Sequence, residues 1–443
     1  MQGSREVTQR TNFSRMVAVA LAAAGFGLTL AIFYPGIMTY DAKFVYEDIA
    51  KHHLGDWQSP AMTVLWAVID PIAPGSGSMF LLIAGAYWLS FGLLGSTLAP
   101  RSIRLAALPP VLALIPPAFV FVGVLWRDVL FAVTWLLAGV LTFATVARPP
   151  RIRASWQVLA LALCGLGVLL RPNAVIAAPV LAIYIIWPLQ MQMKRAAILF
   201  IPLVAAFFGL VQFVYYGILG ATRQHPLQSI MVFDLGGISH FAKENQFPVT
   251  WSERESRMLL NDCYRPTEWD LYWRLDPCKF VMHRLEPEEN LFGTPAITRA
   301  WARAIARHPI AYLEHRASFT WNFLARPNFT IWVADIERPT ETVFPERPAF
   351  AALRAIHDLL KETIVFRAGL WLLACLAVCV VAWRRRDTAD GAFAIAVCGS
   401  AAVYVLTFFA VGVASDFRYG YWAVVAAIAG GSALSGPAIP RPG

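Results

Sequence analysis

Apolar stretches near or above about 18 residues, the length that crosses a bilayer as a helix, recur along this chain and limit what it can fold into. Ten are read, at roughly 16–33, 79–98, 105–125, 129–146, 156–170, 174–189, 196–219, 364–383, 392–413 and 419–435. A soluble core does not need so many. With 58% of residues hydrophobic and only 15% charged, the chain has little polar surface to offer water. The fold class expected is an α-helical polytopic membrane protein with about ten transmembrane helices.

Local signals qualify individual spans. The first run lacks a small-residue cleavage pattern and is followed by further spans, so it reads as retained rather than as a signal peptide. Pro109-Pro110 and Pro116-Pro117 interrupt the third span, which should kink or start late and leave carbonyls for neighbours to satisfy. The fifth and sixth are short and meet at Arg171-Pro172-Asn173, predicting a tight hairpin.

Short loops rich in Lys and Arg stay cytoplasmic. Alternate connections and the tails hold fourteen basic residues (Arg5, Arg10, Arg15, Arg101, Arg104, Arg148, Arg151, Arg153, Lys194, Arg195, Arg384, Arg385, Arg386, Arg441) against three acids. Both termini are therefore expected on the cytoplasmic side, and the formal charge of +9 needs no nucleic-acid partner. The same topology puts Asp41, Asp56, Trp57, Arg127, Asp128, Arg171, Asp416 and Arg418 on the opposite face.

One large hydrophilic region, about Ala221 to Glu362, falls on that face too. It predicts a domain organisation of 1–220 (about seven spans, with a first extracytoplasmic loop over 34–77), 221–363 (a mixed, mainly helical extracytoplasmic domain) and 364–443 (about three spans). Within the domain, 297–306, 310–323 and 350–360 carry helical periodicity, whereas 329–336 and the Pro-rich 338–348 look like strand or loop. Cys263 and Cys278 can pair in an oxidising compartment; Cys164, Cys375, Cys379 and Cys398 lie in spans as small apolar filler. No CxxC or HxxxH spacing marks a metal site, and His52-His53 and His308/His315 do not make one.

An acid directly after the first span and arginines at the mouths of later ones fit one chemistry. When a sugar moves from a polyprenyl phosphate, the lipid tail stays in the bilayer and the phosphate sits at the interface. The acceptor hydroxyl must lose a proton, which a carboxylate can take. The leaving phosphate gains charge, which guanidinium groups stabilise through bidentate contacts. Asp41 suits the first role, and Arg127, Arg171 and Arg418 the second. Neither a GxGxxG nor a Walker-type loop is present to hold a nucleotide.

The pattern Tyr40-Asp41, Tyr46, Gly55-Asp56-Trp57 and Ser59-Pro60 resembles the first extracytoplasmic loop of the GT-C superfamily of integral membrane glycosyltransferases, which includes the protein mannosyltransferases and lipid A aminoarabinose transferases. The longer order YPGxxxxD, DWxSPxMTxLW (Asp56 to Trp66), WRDVLFA (Trp126 to Ala132) and LRPN (Leu170 to Asn173) is similar to a poorly characterised bacterial branch. The likeness covers the first half, loosely includes DFRYGY (Asp416 to Tyr421), and in the large region adds only HPxxYLxxR (His308 to Arg316). It implies a GT-C-like fold, a polyprenyl-phosphate sugar donor, an envelope acceptor (lipid, glycan or protein), a bacterial inner-membrane location and Asp41 as the catalytic carboxylate. Tyr40, Asp56, Trp57, Asp128 and Asp416 are read as supporting residues. Many members carry a second acid after the first; here Ala42 takes that place, so no metal ligand set is assigned, and a divalent cation would need Glu47, Asp48 or Asp128 instead. Gln58-Ser59-Pro60 also departs from the family's usual sequence.

Structural roles compete with each of these. Asp41 suits the first turn of a helix over 41–52, favoured by the dipole. Arg127–Asp128 and Asp416–Arg418 can be interfacial ion pairs, Arg171 can snorkel, and Trp57 can anchor at the interface. Two other functional classes stand beside the glycosyltransferase. An O-antigen ligase or polymerase-like enzyme would confine its centre to the large domain, and a transporter or flippase would show repeat symmetry or mid-span charges.

Overall fold

A computed structural model describes residues 2–189, 193–326 and 347–436. The strand-or-loop segments expected at 329–336 and 338–348 lie outside the described residues, except for 347 and 348; Arg441 lies outside them too. Among the described residues every regular element is helical, and extended backbone meets only in isolated bridges.

The chain opens with α1 (Gln2–Phe33), continues through short α2 (Tyr40–Ala50) and α3 (Pro60–Ile69), and returns along α1 as α4 (Ser76–Leu98). Next come α5 (Ile103–Leu112), α6 (Pro116–Phe119), α7 (Arg127–Thr145), α8 (Pro150–Leu170), α9 (Ala178–Ile186) and α10 (Met193–Gln212), which a π-turn extends to Ile218. A lobe follows, made of α11 (Leu227–Ala242), α12 (Glu253–Asn261), α13 (Phe280–His283), α14 (Pro295–Arg307) and α15 (Pro309–Ala325). The chain then forms α16 (Pro348–Leu360), α17 (Ala368–Trp383), α18 (Ala389–Val411) and α19 (Tyr421–Leu434).

Six helices among the described residues are long and apolar enough to cross a membrane: Glu6–Phe33, Ser76–Leu98, Arg127–Thr145, Pro150–Leu170, Lys194–Ile218 and Ala389–Val411. The other four of the ten expected spans do not form helices of this length. The other four stretches are apolar but interrupted or short. The third is divided between α5, which carries Pro109 and Pro110 inside it, and α6, which starts at Pro116; the sixth keeps only α9, and α17 and α19 have 16 and 14 residues. A 14-residue helix rises about 21 Å, short of a hydrocarbon layer about 30 Å thick.

Carbonyls left open around the break between α5 and α6 find the partners that an apolar interior demands. The Tyr87 hydroxyl donates to Ala113 O, and the Tyr421 hydroxyl donates to Ala118 O at 2.8 Å. α5 can approach α4 closely because Gly95 faces it; a Cβ there would stand 2.3 Å from Ala106 O. Around α7 the interior is aromatic. Phe131 lies 4.7 Å from Trp135 and 4.9 Å from Tyr404 (ring centroids), and Trp135 meets Trp422 edge-on at 5.9 Å.

Two backbone joints place the loops that matter. After α1 the chain turns at Gly36, whose φ of +104° suits only glycine. Ile37 then pairs with the strand-like segment before α7, accepting from Leu125 N at 3.1 Å and donating to Gly123 O at 2.7 Å. Thr222, just past the π-turn, bridges Gly55 and Asp56. The lobe is stapled by Cys263–Cys278, which form a disulfide.

Candidate functional site

The Ile37–Leu125 joint brings the start of α2 beside the start of α7. Thr39 occupies the N-cap of α2, but its hydroxyl accepts the indole N–H of Trp126 at 2.7 Å and caps nothing. Asp41, at the second helical position, directs its carboxylate across the molecule. Arg418 donates to one oxygen at 2.6 Å, and Gln58 donates to the other at 3.3 Å. A carboxylate used only to complement the helix dipole has no need of a partner 377 residues away.

Arg418 lies in the turn between α18 and α19. Besides Asp41 it meets Asp416, at 3.3 Å through Nε and at 2.9 Å through its own backbone N–H. Its guanidinium lies 4.6 Å from the Trp126 ring centroid and 5.2 Å from that of Tyr419. Arg171, at the C-cap of α8, pairs with Asp128 in the first turn of α7; both are buried. The Arg171 guanidinium also lies 4.9 Å from the Tyr419 ring centroid, so two guanidinium groups approach one phenol ring. Arg127 begins α7, where its charge opposes the helix dipole, and donates to Trp57 O at 3.2 Å.

The four principal residues predicted from sequence thus converge. Asp41, Gln58, Trp126, Arg127 and Asp128 line one narrow cleft with about 10 Å³ of free space, with Arg418 and Arg171 joined to it through their acids. A larger hollow lies elsewhere, in the lobe beside Phe247, Thr250, Arg284 and Glu289. It holds none of these charges.

The two acids on Arg418 differ. Burial works against the Asp41 charge, but Arg418 and Arg127 outweigh it and hold the carboxyl below its ordinary range. For Asp416 burial wins, and its carboxyl is pushed above that range despite Arg418. Asp41 is therefore the stronger acid of the two, and its side chain keeps 35% of its exposure.

The supporting residues separate. Asp128 and Asp416 belong to the charged cluster. Asp56 does not face it: the Tyr216 hydroxyl donates to it at 2.7 Å and Gln224 N at 2.5 Å, making it the anchor that ties the first loop to the segment after α10. Trp57 stands at the rim, 5.7 Å from Trp269 of the lobe. Tyr40 starts α2, next to Asp41.

Gln58, Trp126 and Tyr419 were not picked out by role in the sequence. Trp126 and Tyr419 sit inside quoted motifs with no role of their own, and Gln58 stands out only as a departure from the family's usual sequence. No group of three or more His, Cys, Asp or Glu among the described residues could hold a metal ion.

No family model matches the chain, and no curated relative does. Four solved chains match. An archaeal oligosaccharyltransferase, AglB from Archaeoglobus fulgidus, in complex with an inhibitory peptide and a dolichol-phosphate, aligns over 96% of this chain and 50% of its own, at 14% identity and a TM-score of 0.40. The apo form of the oligosaccharyltransferase from that organism aligns over 94% of this chain and 50% of its own, at 13% identity and a TM-score of 0.38. The form tethered to an acceptor peptide by a disulfide aligns over 94% and 49%, at 12% identity and 0.38. The chain spans about half the length of these proteins, and at this level of agreement nothing about their activity transfers to it.

Proposed function

We propose that this chain is a membrane glycosyltransferase that moves a sugar from a polyprenyl-phosphate donor to an envelope acceptor on the extracytoplasmic face, in a bacterial inner membrane with both termini cytoplasmic. The observation that carries the reading is the Asp41–Arg418 pair, set beside Arg127 and the Arg171–Asp128 pair in one cleft. Charges are costly next to a bilayer, and a cluster of three arginines around an accessible acid is a functional site by default. On this reading the chain keeps the organisation 1–220, 221–363 and 364–443, with the shorter apolar helices completing about ten crossings by packing in pairs or by local thinning of the bilayer.

The reaction is a single inverting displacement. The acceptor oxygen attacks the anomeric carbon, its proton passes to Asp41, and the bond from that carbon to the phosphate oxygen breaks. The electron pair leaves on the polyprenyl phosphate, whose added charge Arg127, Arg171 and Arg418 stabilise. The cleft has about 10 Å³ of free space, room for about one water, far below the 300–1,000 Å³ usual for ligand sites. The donor phosphate must therefore draw Arg418 from Asp41 as it enters. Losing that partner raises the Asp41 carboxyl toward its ordinary range and makes it a better base.

The test is transfer from a polyprenyl-phosphate sugar in membranes carrying wild-type protein or Asp41→Asn. Abolished transfer with normal protein abundance is expected. Transfer at the wild-type rate removes Asp41 as the base.

A further inference from the structure

The HPxxYLxxR run of α15 has no part in the proposed chemistry, yet it ends on a fully buried arginine, Arg316. Asp234 of α11, also fully buried, meets one guanidinium nitrogen at 2.7 Å, and the indole of Trp301 donates to its other oxygen at 2.7 Å. The second nitrogen of Arg316 leaves the lobe. It donates at 2.7 Å to Gly412 O, the C-cap of α18.

The next residues are gripped as well. Trp269 N donates to Val413 O at 2.9 Å, and Ser415 N donates to Thr267 O at 2.8 Å, forming an antiparallel bridge between Glu268 and Ala414. Thr267 to Trp269 lie inside the loop closed by Cys263–Cys278. Three residues beyond Ser415 stands Arg418. The same loop touches the other side of the cleft, since the Trp269 ring lies against Trp57, whose carbonyl holds Arg127.

We propose that Arg316 and the disulfide-closed loop 263–278 are positioning elements of the donor-phosphate site, holding the backbone of 412–416 so that Arg418 reaches both Asp41 and the phosphate. Irregular backbone between two helices has many conformations, and three hydrogen bonds at Gly412, Val413 and Ser415 remove most of them. The chemistry of Arg316 requires a planar fork, because one nitrogen is spent on Asp234 and a different one on Gly412. A lysine can neutralise Asp234 but cannot make both contacts in that geometry. The proposal rests on the lipid-phosphate reading of the cluster.

The test uses full-length protein in nanodiscs, as wild type, Arg316→Lys and the double variant Cys263→Ser/Cys278→Ser. Hydrogen exchange is followed in the peptide spanning 412–418, together with the dissociation constant for undecaprenyl phosphate and, with a sugar-charged donor, KM and kcat. Both variants are expected to exchange faster in 412–418 with the other helices unchanged, and to weaken lipid-phosphate binding and raise donor KM about tenfold, with kcat much less affected. Faster exchange with unchanged lipid-phosphate affinity, or unchanged exchange in both variants, overturns the proposal. Two variants guard against a folding defect in either. If wild-type protein binds undecaprenyl phosphate but transfers no sugar, the glycosyltransferase reading falls while the binding and exchange data still decide the positioning role.

Discussion

Both ends of α19 carry buried arginine–aspartate pairs, built in opposite ways. Beyond its last turn, Arg101 meets Asp390 at 2.6 Å and gives a second nitrogen to Ala433 O at 3.0 Å, while Arg385 donates to Leu434 O and Gly436 O at 3.1 and 2.7 Å. Spare donors there are absorbed by the helix's terminal carbonyls, a cation placement the dipole favours. Before its first turn, Arg418 and Arg171 turn toward the same tyrosine ring, and Arg127 stands nearby at the wrong end of a helix for its charge. The first arrangement spends both terminal nitrogens of Arg101 on groups within the protein. The second concentrates cations around a partly exposed carboxylate and leaves them able to exchange it for another anion.

The contrast can be broken experimentally, starting from its largest expected effect. Asp41→Asn should lower transfer by about a thousandfold, in the middle of the range for removing a general base; a loss under tenfold, measured as initial rate per folded protein, would place Asp41 with the structural acids. Arg101→Met should instead cost about 3–5 kcal/mol of stability by stranding Asp390, read as a drop in thermal midpoint, with transfer per folded molecule unchanged. Should the activity of the surviving protein fall in parallel, the two ends are not functionally distinct.

Arg171→Lys keeps the charge but loses the fork that a phosphate or carboxylate prefers. An increase in donor KM of about tenfold, with normal abundance, is expected. If only abundance falls, Arg171 belongs with Arg101.

The smallest effect is a pH shift. Asp41 acts as a base only when ionised, and in the free protein its carboxyl is held below the ordinary range, so kcat/KM should be lost only as pH falls through that lowered value. Arg418→Gln removes a main cause of the lowering and should move the acid limb upward in the pH–rate profile. The stability contributed by the Asp41 pairing follows the same sign: it is present above the ordinary carboxylate pKa and disappears as pH falls through the lowered one. An acid limb that stays in place would exclude Arg418 as the group that tunes Asp41.

What could be read ahead of the structure was whatever depends on neighbours along the chain. Apolar periodicity located the helical stretches, and 297–306, 310–323 and 350–360 are helices as their patterns required. Only six of the ten expected stretches form long helices because apolar composition does not report where helices break: one stretch breaks ahead of Pro116, and Pro172 with its 3₁₀ turn shortens another. Asp41, Arg127, Arg171 and Arg418 stood out because charge beside a long apolar run is costly, a property of position in sequence alone. Gln58, Trp126 and Tyr419 did not, since a glutamine in a loop and aromatics at helix mouths look the same whether they serve a site or an interface.

By itself, then, the sequence determined that the chain is helical and suited to a membrane, and which charges it cannot hide cheaply. Only tertiary structure decided the partners. Asp41 answers to Arg418, Asp128 to Arg171, and Arg316 reaches from the lobe to the turn that carries Arg418. Such pairings depend on how helices far apart in the chain pack side by side, and a hydropathy pattern, which records only how each residue prefers water to hydrocarbon, contains no term for that.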